Sequence, residues 1–332
     1  MAILVTGGAG YIGSVTVERL TNKGESIVAL DDLAHGRRES IDGDVPFYQG
    51  SVGDRALIAR IVKDHAIEAC VHFASLISVG ESEQRPAEYF ENNVQQGISL
   101  IGALLQAGVR HFVFSSTAAV YGDSEKMPIG EDSPQWPKNT YGWTKFMFER
   151  LLETYDTAYG LKSICLRYFN ASGATERCGE DHDPETHLIP NVLAAAADPQ
   201  REVRIFGNKY PTPDGTPIRD YVHVADLADA HIGALEHLRR VGTSHALNLG
   251  TGRGYSVLEV VEAARRVTGC PIRVRIEASR AGDPPRLVAD PSRAKSILGW
   301  SPNKSDLSSI IQSAWDWRKK FPHGYKSLTS AK

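Results

Sequence analysis

Short apolar runs alternate with amphipathic stretches through the first half of this chain. Runs at residues 2–6, 26–31, 69–73, 111–116 and 162–169 are short and almost uniformly apolar. Between them, residues 11–22, 55–63, 87–106 and 141–159 are helix-like. Strands of this kind are buried on both faces, and the intervening helices predict a parallel sheet covered on both sides. In such sheets a ligand sits outside the carboxyl ends of the strands. The style changes after Asn170. Residues 171–220 carry Pro184, Pro190, Pro199, Pro211, Pro213 and Pro217 and read as a loop-rich segment closing over something. The alternation returns at 221–238 and 245–250, and a smaller mixed part follows with helices near 257–268 and 307–319. The pattern predicts an α/β protein, a doubly wound parallel sheet with a smaller mixed α/β C-terminal domain. One unit takes residues 1–170 plus about 221–250, the other 171–220 plus about 251–325, and 326–332 is a frayed tail.

The 332 residues suffice for one large or two moderate domains. A formal net charge of -3 offers no basic field to attract nucleic acid, so any phosphate-bearing ligand must be held by local groups. Cys70, Cys165, Cys178 and Cys270 lack metal-type spacing and read as reduced thiols. Residues 2–6 run straight into a glycine turn with no basic segment before them, and no stretch approaches the ~20 apolar residues of a membrane span. The expectation is a cytoplasmic protein.

Residues 6–13 read Thr-Gly-Gly-Ala-Gly-Tyr-Ile-Gly, so Gly7, Gly10 and Gly13 recur at three-residue spacing. The run follows a strand and opens a helix, and Asp31 stands near the end of the next strand. Glycine admits a tight turn and a close backbone approach to a pyrophosphate at a helix N-terminus. A carboxylate at Asp31 accepts both ribose hydroxyls of NAD and repels the 2′-phosphate of NADP. The constellation predicts a Rossmann sheet binding NAD; the adjacent Asp32 reads as a solvated loop acid.

Tyr141 and Lys145 stand at i and i+4 on one helix face, continued by Phe148, Leu152, Tyr155 and Tyr159. Alone, the pair reads as a core tyrosine beside a lysine reaching for water. A strand end at Ser115-Ser116-Thr117 and the upstream dinucleotide motif favour chemistry. Bringing a phenol from ~10 to near neutrality takes about 4 kcal/mol, and nearby cations supply such stabilisation. Lys145 and an oxidised nicotinamide are the expected cations. Thr117 would orient the same substrate oxygen.

The glycine run, Asp31, His72-Phe-Ala, Asn92-Asn-Val, Ser115 to Gly122, Tyr141-x-x-x-Lys145 and Arg167-Tyr-Phe-Asn170 resemble extended short-chain dehydrogenase/reductases. Gly179 to Pro190, Ile205-Phe-Gly, Asp214 to Leu227, Asn248-Leu-Gly and Arg280-Ala-Gly-Asp283 are similar to UDP-galactose 4-epimerases, over nearly the whole chain. The resemblance implies an NAD-binding unit and a UDP-sugar-binding unit. It implies that Tyr11, Ile12, Phe73, Ala74, Asn92, Ser115 and Tyr168 join the glycines, Asp31, Tyr141 and Lys145 around NAD. It implies that Asn170, His187, Leu188, Phe206, Arg219, Tyr221, Arg280 and Asp283 hold UDP beside Thr117 and Tyr141, with both arginines on the diphosphate. Leu287 would border the sugar's C2 substituent. A homodimer joined through helices near 91–107 and 141–159 is also implied.

Some positions depart from the family pattern. Thr117 replaces a common Ser and keeps the hydroxyl; Ile77 and Ser51 replace a lysine and an acid that touch the cofactor in some relatives. His187 stands where some relatives use Asn. Related dehydratases carry Asp-Glu after the active-site Thr and related decarboxylases carry Glu, whereas this chain has Ala118-Ala119. Two methyl groups cannot shuttle protons, which favours NAD-dependent C4 epimerisation of UDP-galactose/UDP-glucose. UDP-arabinopyranose/UDP-xylose and UDP-N-acetylhexosamine remain alternative substrates, and a non-catalytic NAD sensor is the rival of another class. His182, Asp183 and His187 are metal ligands in type, but Pro184 interrupts any helix aligning them, so no metal is expected.

Overall fold

The computed structural model describes residues 1–124, 126–280 and 282–326. Seven parallel strands form the main sheet, in the spatial order His245–Leu249, Lys162–Tyr168, His111–Thr117, Ile67–His72, Ala2–Thr6, Ile27–Asp31 and Phe47–Gln49. The chain starts in the middle, winds outward to one edge, then returns past its start to the other. The reversal lies between Ala2–Thr6 and Ile67–His72, which is where a doubly wound sheet opens its ligand crevice.

Successive strand residues face opposite sides, so each strand feeds two cores. Ile3, Val5, Ala69, Val71 and Val113 pack in one core with Leu227, Leu235 and Leu238 of helix Val224–Arg240. Leu4, Cys70, Phe112 and Phe114 pack in the other with Ile58 and Ile61 of Arg55–His65, Leu100 and Leu104 of Gln96–Gln106, and Phe148 and Leu152 of Thr140–Tyr159. That double burial is why the runs lack polar alternation. A third core serves the C-terminal domain: Ile189, Val192, Val203, Val260, Val261, Leu307 and Ile311 pack together.

The structure differs from the sequence pattern in two places. The helix expected over 87–106 is broken into Pro86–Phe90, a π turn at Glu91–Gln95, and Gln96–Gln106, and a further short helix, Val79–Gln84, precedes it. At that π turn Asn93 points inward, accepting from the Leu76 N–H at 2.8 Å and donating to Thr144 Oγ1 at 3.1 Å. Residues 171–220 hold more regular structure than their prolines suggest. Helix Leu188–Ala197 places Pro190 in its first turn, where the missing N–H removes no helical bond. Strand Glu202–Phe206 pairs in parallel with Arg273–Glu277. Of the expected tail, residues 327–332 lie outside the described residues. No helix among the described residues is long and apolar enough to cross a membrane.

Candidate active site

The glycine loop is a cradle that side chains would fill. Gly7 has φ +68°, and a Cβ there would lie 2.4 Å from the Ala74 nitrogen. A Cβ on Gly13 would lie 2.1 Å from the Gly7 carbonyl. Gly10 caps helix Tyr11–Asn22 without a side-chain acceptor, so the helix N-terminus faces the crevice ready for an anion. Phe73 and Ala74 both donate main-chain N–H to Thr6, at 2.9 and 3.2 Å, closing the far wall. Asp31 is buried; its carboxylate accepts from Ala9 N and Leu33 N at 2.9 Å each. Burial raises its pKa, and those two N–H groups oppose the rise. Asp32 is exposed, as expected of a loop acid. Tyr11 donates to the Gly173 carbonyl at 2.5 Å, and Ile12 is a partly buried packing residue beside the cradle. These residues fit a dinucleotide.

Tyr141 and Lys145, the expected catalytic pair, stand one strand further on. Asn139 caps Thr140–Tyr159, its side chain accepting from Gly142 N at 2.8 Å, and this fixes Tyr141 in the first turn. Lys145 is 2% exposed, and its Nζ donates to the Ser115 carbonyl at 2.8 Å. Nζ lies 5.8 Å from the Tyr141 ring centroid. Burial drives Lys145 down to about 7, partly opposed by Glu149. Burial drives Tyr141 up to about 12, partly opposed by a hydrogen bond with Thr117. Lys145 alone does not bring the phenol down, because its ammonium is held on the strand and burial dominates; the expectation names two cations, Lys145 and the nicotinamide ring. The remaining stabilisation must come from a cation placed against the ring. Thr117 also accepts from Ala119 N at 3.1 Å, which aims its side chain at the cleft's edge. Tyr168 turns its hydroxyl to His231 Nε2, and Phe73 packs on the same imidazole at 4.6 Å. Asn92, in the π turn, is half-buried.

The residues expected to hold the substrate approach from the C-terminal side. Asn170 donates Nδ2 to the Asp220 carbonyl at 3.1 Å, beside the buried Tyr221, whose strand pairs with its own. Arg219 is paired with Asp283, and Arg280 lies over the Phe206 ring at 3.9 Å. Leu287 pairs in register with Arg219 and packs against Ala118, Val120 and Tyr121, next to Thr117. Leu188 opens its helix, and His187 caps it. His187 Nδ1, however, turns to Glu180 and Glu185 at 2.8 Å each.

This arrangement has a family. A model of the NAD dependent epimerase/dehydratase family matches residues 3–250. The chain belongs to the NAD dependent epimerase/dehydratase family. It is similar to a UDP-glucose 4-epimerase of Halalkalibacterium halodurans, 49% identical over 98% of each chain. The fold is similar to the crystal structure of UDP-glucose 4-epimerase from Brucella ovis in complex with NAD, with TM-score 0.92, 45% identity, and 95% and 97% of the two chains covered. It is similar too to UDP-glucose 4-epimerase from Bifidobacterium longum in complex with NAD+ and UDP, with TM-score 0.91, 37% identity, and 98% and 100% covered.

As a member of this NAD dependent family the chain uses NAD as its cofactor. Sequence reasoning missed what packs behind Tyr141 and Lys145. Arg167 and Glu149 form an ion pair with both side chains 1% exposed. Ser116 donates to Glu149 at 2.5 Å, Arg167 donates to Tyr121 Oη at 2.8 Å, and Tyr121 donates to Asn248 at 2.7 Å. Arg167, Tyr121 and Asn248 all stand in family-like motifs, yet spacing carries no hint that they meet. Tyr210 was also missed; its hydroxyl is buried without a hydrogen-bond partner among the described residues, near Asp283 and both arginines. Pro184 keeps the segment out of a helix, and an irregular loop brings Glu180, His182, Glu185 and His187 together, while Asp183 stays outside the group.

Proposed function

We propose that this chain is a UDP-glucose 4-epimerase, interconverting UDP-galactose and UDP-glucose. One observation carries the reading: Thr117 and Tyr141 are joined at the strand end beside the glycine cradle, and only Ala118 and Ala119 follow Thr117. One base poised at one carbon supports proton and hydride exchange there, with no second acid–base group for elimination.

Tyr141 takes the proton from the sugar 4-hydroxyl, and Thr117 holds that oxygen in line. NAD, which the Gly7, Gly10 and Gly13 loop and Asp31 would hold, would supply a reversible hydride acceptor for C4 and a positive ring beside Tyr141. Lys145 keeps the strand end and helix in register through Ser115. Arg219, steadied by Asp283, and Arg280, stacked on Phe206, grip the diphosphate as forked donors. Binding energy is thus placed away from C4, leaving the 4-keto sugar loose enough to present its other face. Tyr141 then returns the proton. The test is to incubate purified protein with UDP-galactose and follow UDP-glucose formation. The expected result is epimerisation with no net consumption of NAD; NADH released at each turnover contradicts it.

The assembly proposed is a homodimer. Ile98 and Met147, on the two helices named for that contact, are 38% and 45% exposed. The cytoplasm is the proposed compartment, supported by four cysteines that form no disulfide. The two-unit division is proposed along the boundaries above, supported by the separate core that Ile189, Val192, Val260, Val261, Ile310 and Ile311 share, although Tyr221 joins that core and Ala294 and Trp300 pack in the core of the main sheet.

A further inference from the structure

Residues 179–188 run from the cofactor side of the cleft to the substrate side. His182 meets the Tyr11 ring edge-on at 6.4 Å, next to the glycine loop. His187 caps helix Leu188–Ala197 at the other end. Neither the cradle nor the arginines account for four side chains of this segment turning to one point. Glu180, His182, Glu185 and His187 each present one ligand atom, all within 4.8 Å of one another. Glu180 Oε1 lies 3.2 Å from His182 Nδ1 and 2.8 Å from His187 Nδ1, and Glu185 Oε1 lies 2.8 Å from the same His187 nitrogen.

We propose that Glu180, His182, Glu185 and His187 are the ligands of a divalent-cation site, and that zinc is the ion it takes. The donor set is two imidazole nitrogens and two carboxylate oxygens, which zinc binds in tetrahedral geometry at ~2.0–2.2 Å, with donors ~3.3 Å apart. Separations of 2.8 to 3.2 Å need widen by only tenths of an ångström, and the widest, 4.8 Å, closes inward. Charge balances, because two carboxylates and two neutral imidazoles match a dication. His187 Nδ1 carries at most one hydrogen, yet two carboxylate oxygens stand equally close to it, one of which, Glu185 Oε1, also accepts from the His187 main-chain N–H at 2.6 Å. Glu180 is 8% exposed, and a buried carboxylate needs compensation. Arg37 is spent on Asp181, so among the described residues the ion-pair partners of Glu180 and Glu185 are these two imidazoles. Four protein ligands close the shell, so the ion is structural. It ties the segment beside Tyr11 to the start of the substrate helix. The proposal departs from the expectation of no metal, which rested on Pro184 interrupting any helix that would align the ligands.

The experiment uses the full-length protein, stripped with a chelator and moved to chelator-free buffer. Zinc chloride alone is titrated in, metal per chain is measured after gel filtration, and Tm is recorded. About one zinc per chain is expected, with Tm raised by about 4 °C at 100-fold excess over Kd. Glu185→Gln and His182→Gln, each removing a rim ligand, should weaken zinc binding by at least ~10-fold. Hydrogen exchange across residues 179–188 should slow on zinc addition in the wild type only. A wild-type protein that takes up no stoichiometric zinc overturns the site and leaves a proton on His187 as the bridge between the carboxylates. Variants that bind zinc like the wild type place the ion elsewhere and overturn it equally. The readout is metal content, so failure here leaves the epimerase reading standing.

Discussion

The ammonium of Lys145 is bonded to the main-chain carbonyl of Ser115 at 2.8 Å, and so faces the strand end more than the phenol of Tyr141. The helix that carries the base is thereby pinned to the strand that carries Thr117. Lys145 acts on Tyr141 through space, from 5.8 Å, and through alignment.

Tyr141→Phe should therefore keep the fold and lower turnover by at least ~100-fold, the scale of a lost general base. Lys145→Met should be similarly damaging and should move the pH optimum upward, since the phenolate loses a cation. Steady-state kinetics across pH, with circular dichroism as the control for folding, check both. Near-normal turnover of Tyr141→Phe would remove it from the chemistry.

The buried pair Arg167–Glu149 should behave as a unit. Arg167→Met leaves the Glu149 carboxylate, 1% exposed, with only the Ser116 hydroxyl and Arg150 at 3.6 Å, and should cost about 3–5 kcal/mol. Pairing it with Glu149→Leu should recover much of that loss, because no charge is then stranded. Urea unfolding of the single and double variants measures the coupling, and strictly additive losses would show that the two side chains do not support one another.

Acid should destabilise the protein through buried histidines. Burial holds His72 down to about 3, and His223 and His231 down to about 4. Each binds fewer protons folded than unfolded between those values and the ordinary ~6.5. Their contribution is thus fully present above pH ~6.5 and is lost as pH falls toward 4, at up to roughly 1.4 kcal/mol per pH unit for each. Denaturant unfolding at pH 7, 6 and 5 should show this slope, and His231→Gln should reduce it by about one histidine's share. An unchanged slope in His231→Gln would exclude that residue.

The proposed dimer predicts that Ile98→Arg, on an exposed helix position, gives monomers with native circular dichroism. Light scattering after gel filtration reads the mass, and a monomeric wild type would refute the assembly.

The sequence by itself determined the sheet, because strands buried on both faces must be apolar almost throughout, as in the Ala-Ile-Leu-Val and Ile-Val-Ala-Leu that open Ala2–Thr6 and Ile27–Asp31. It also determined the cofactor loop: only glycine tolerates the backbone contacts at Gly7 and Gly13, so geometry writes itself into residue type. Tyr141 and Lys145 were legible because one helix fixes their spacing. What joins residues far apart in the chain left no periodic trace. Arg167 meeting Glu149 and Tyr121, Asn93 reaching Leu76 and Thr144, and Tyr168 finding His231 each depend on elements packed across the sheet. The direction of the pKa shifts was likewise a tertiary matter. A lysine four residues from a tyrosine suggests a lowered phenol, but how much water the fold removes from each decides the outcome, and here burial drives Tyr141 up and Lys145 down. The gathering of Glu180, His182, Glu185 and His187 belongs to the same class, because an irregular loop has no repeat by which sequence spacing could announce which side chains converge.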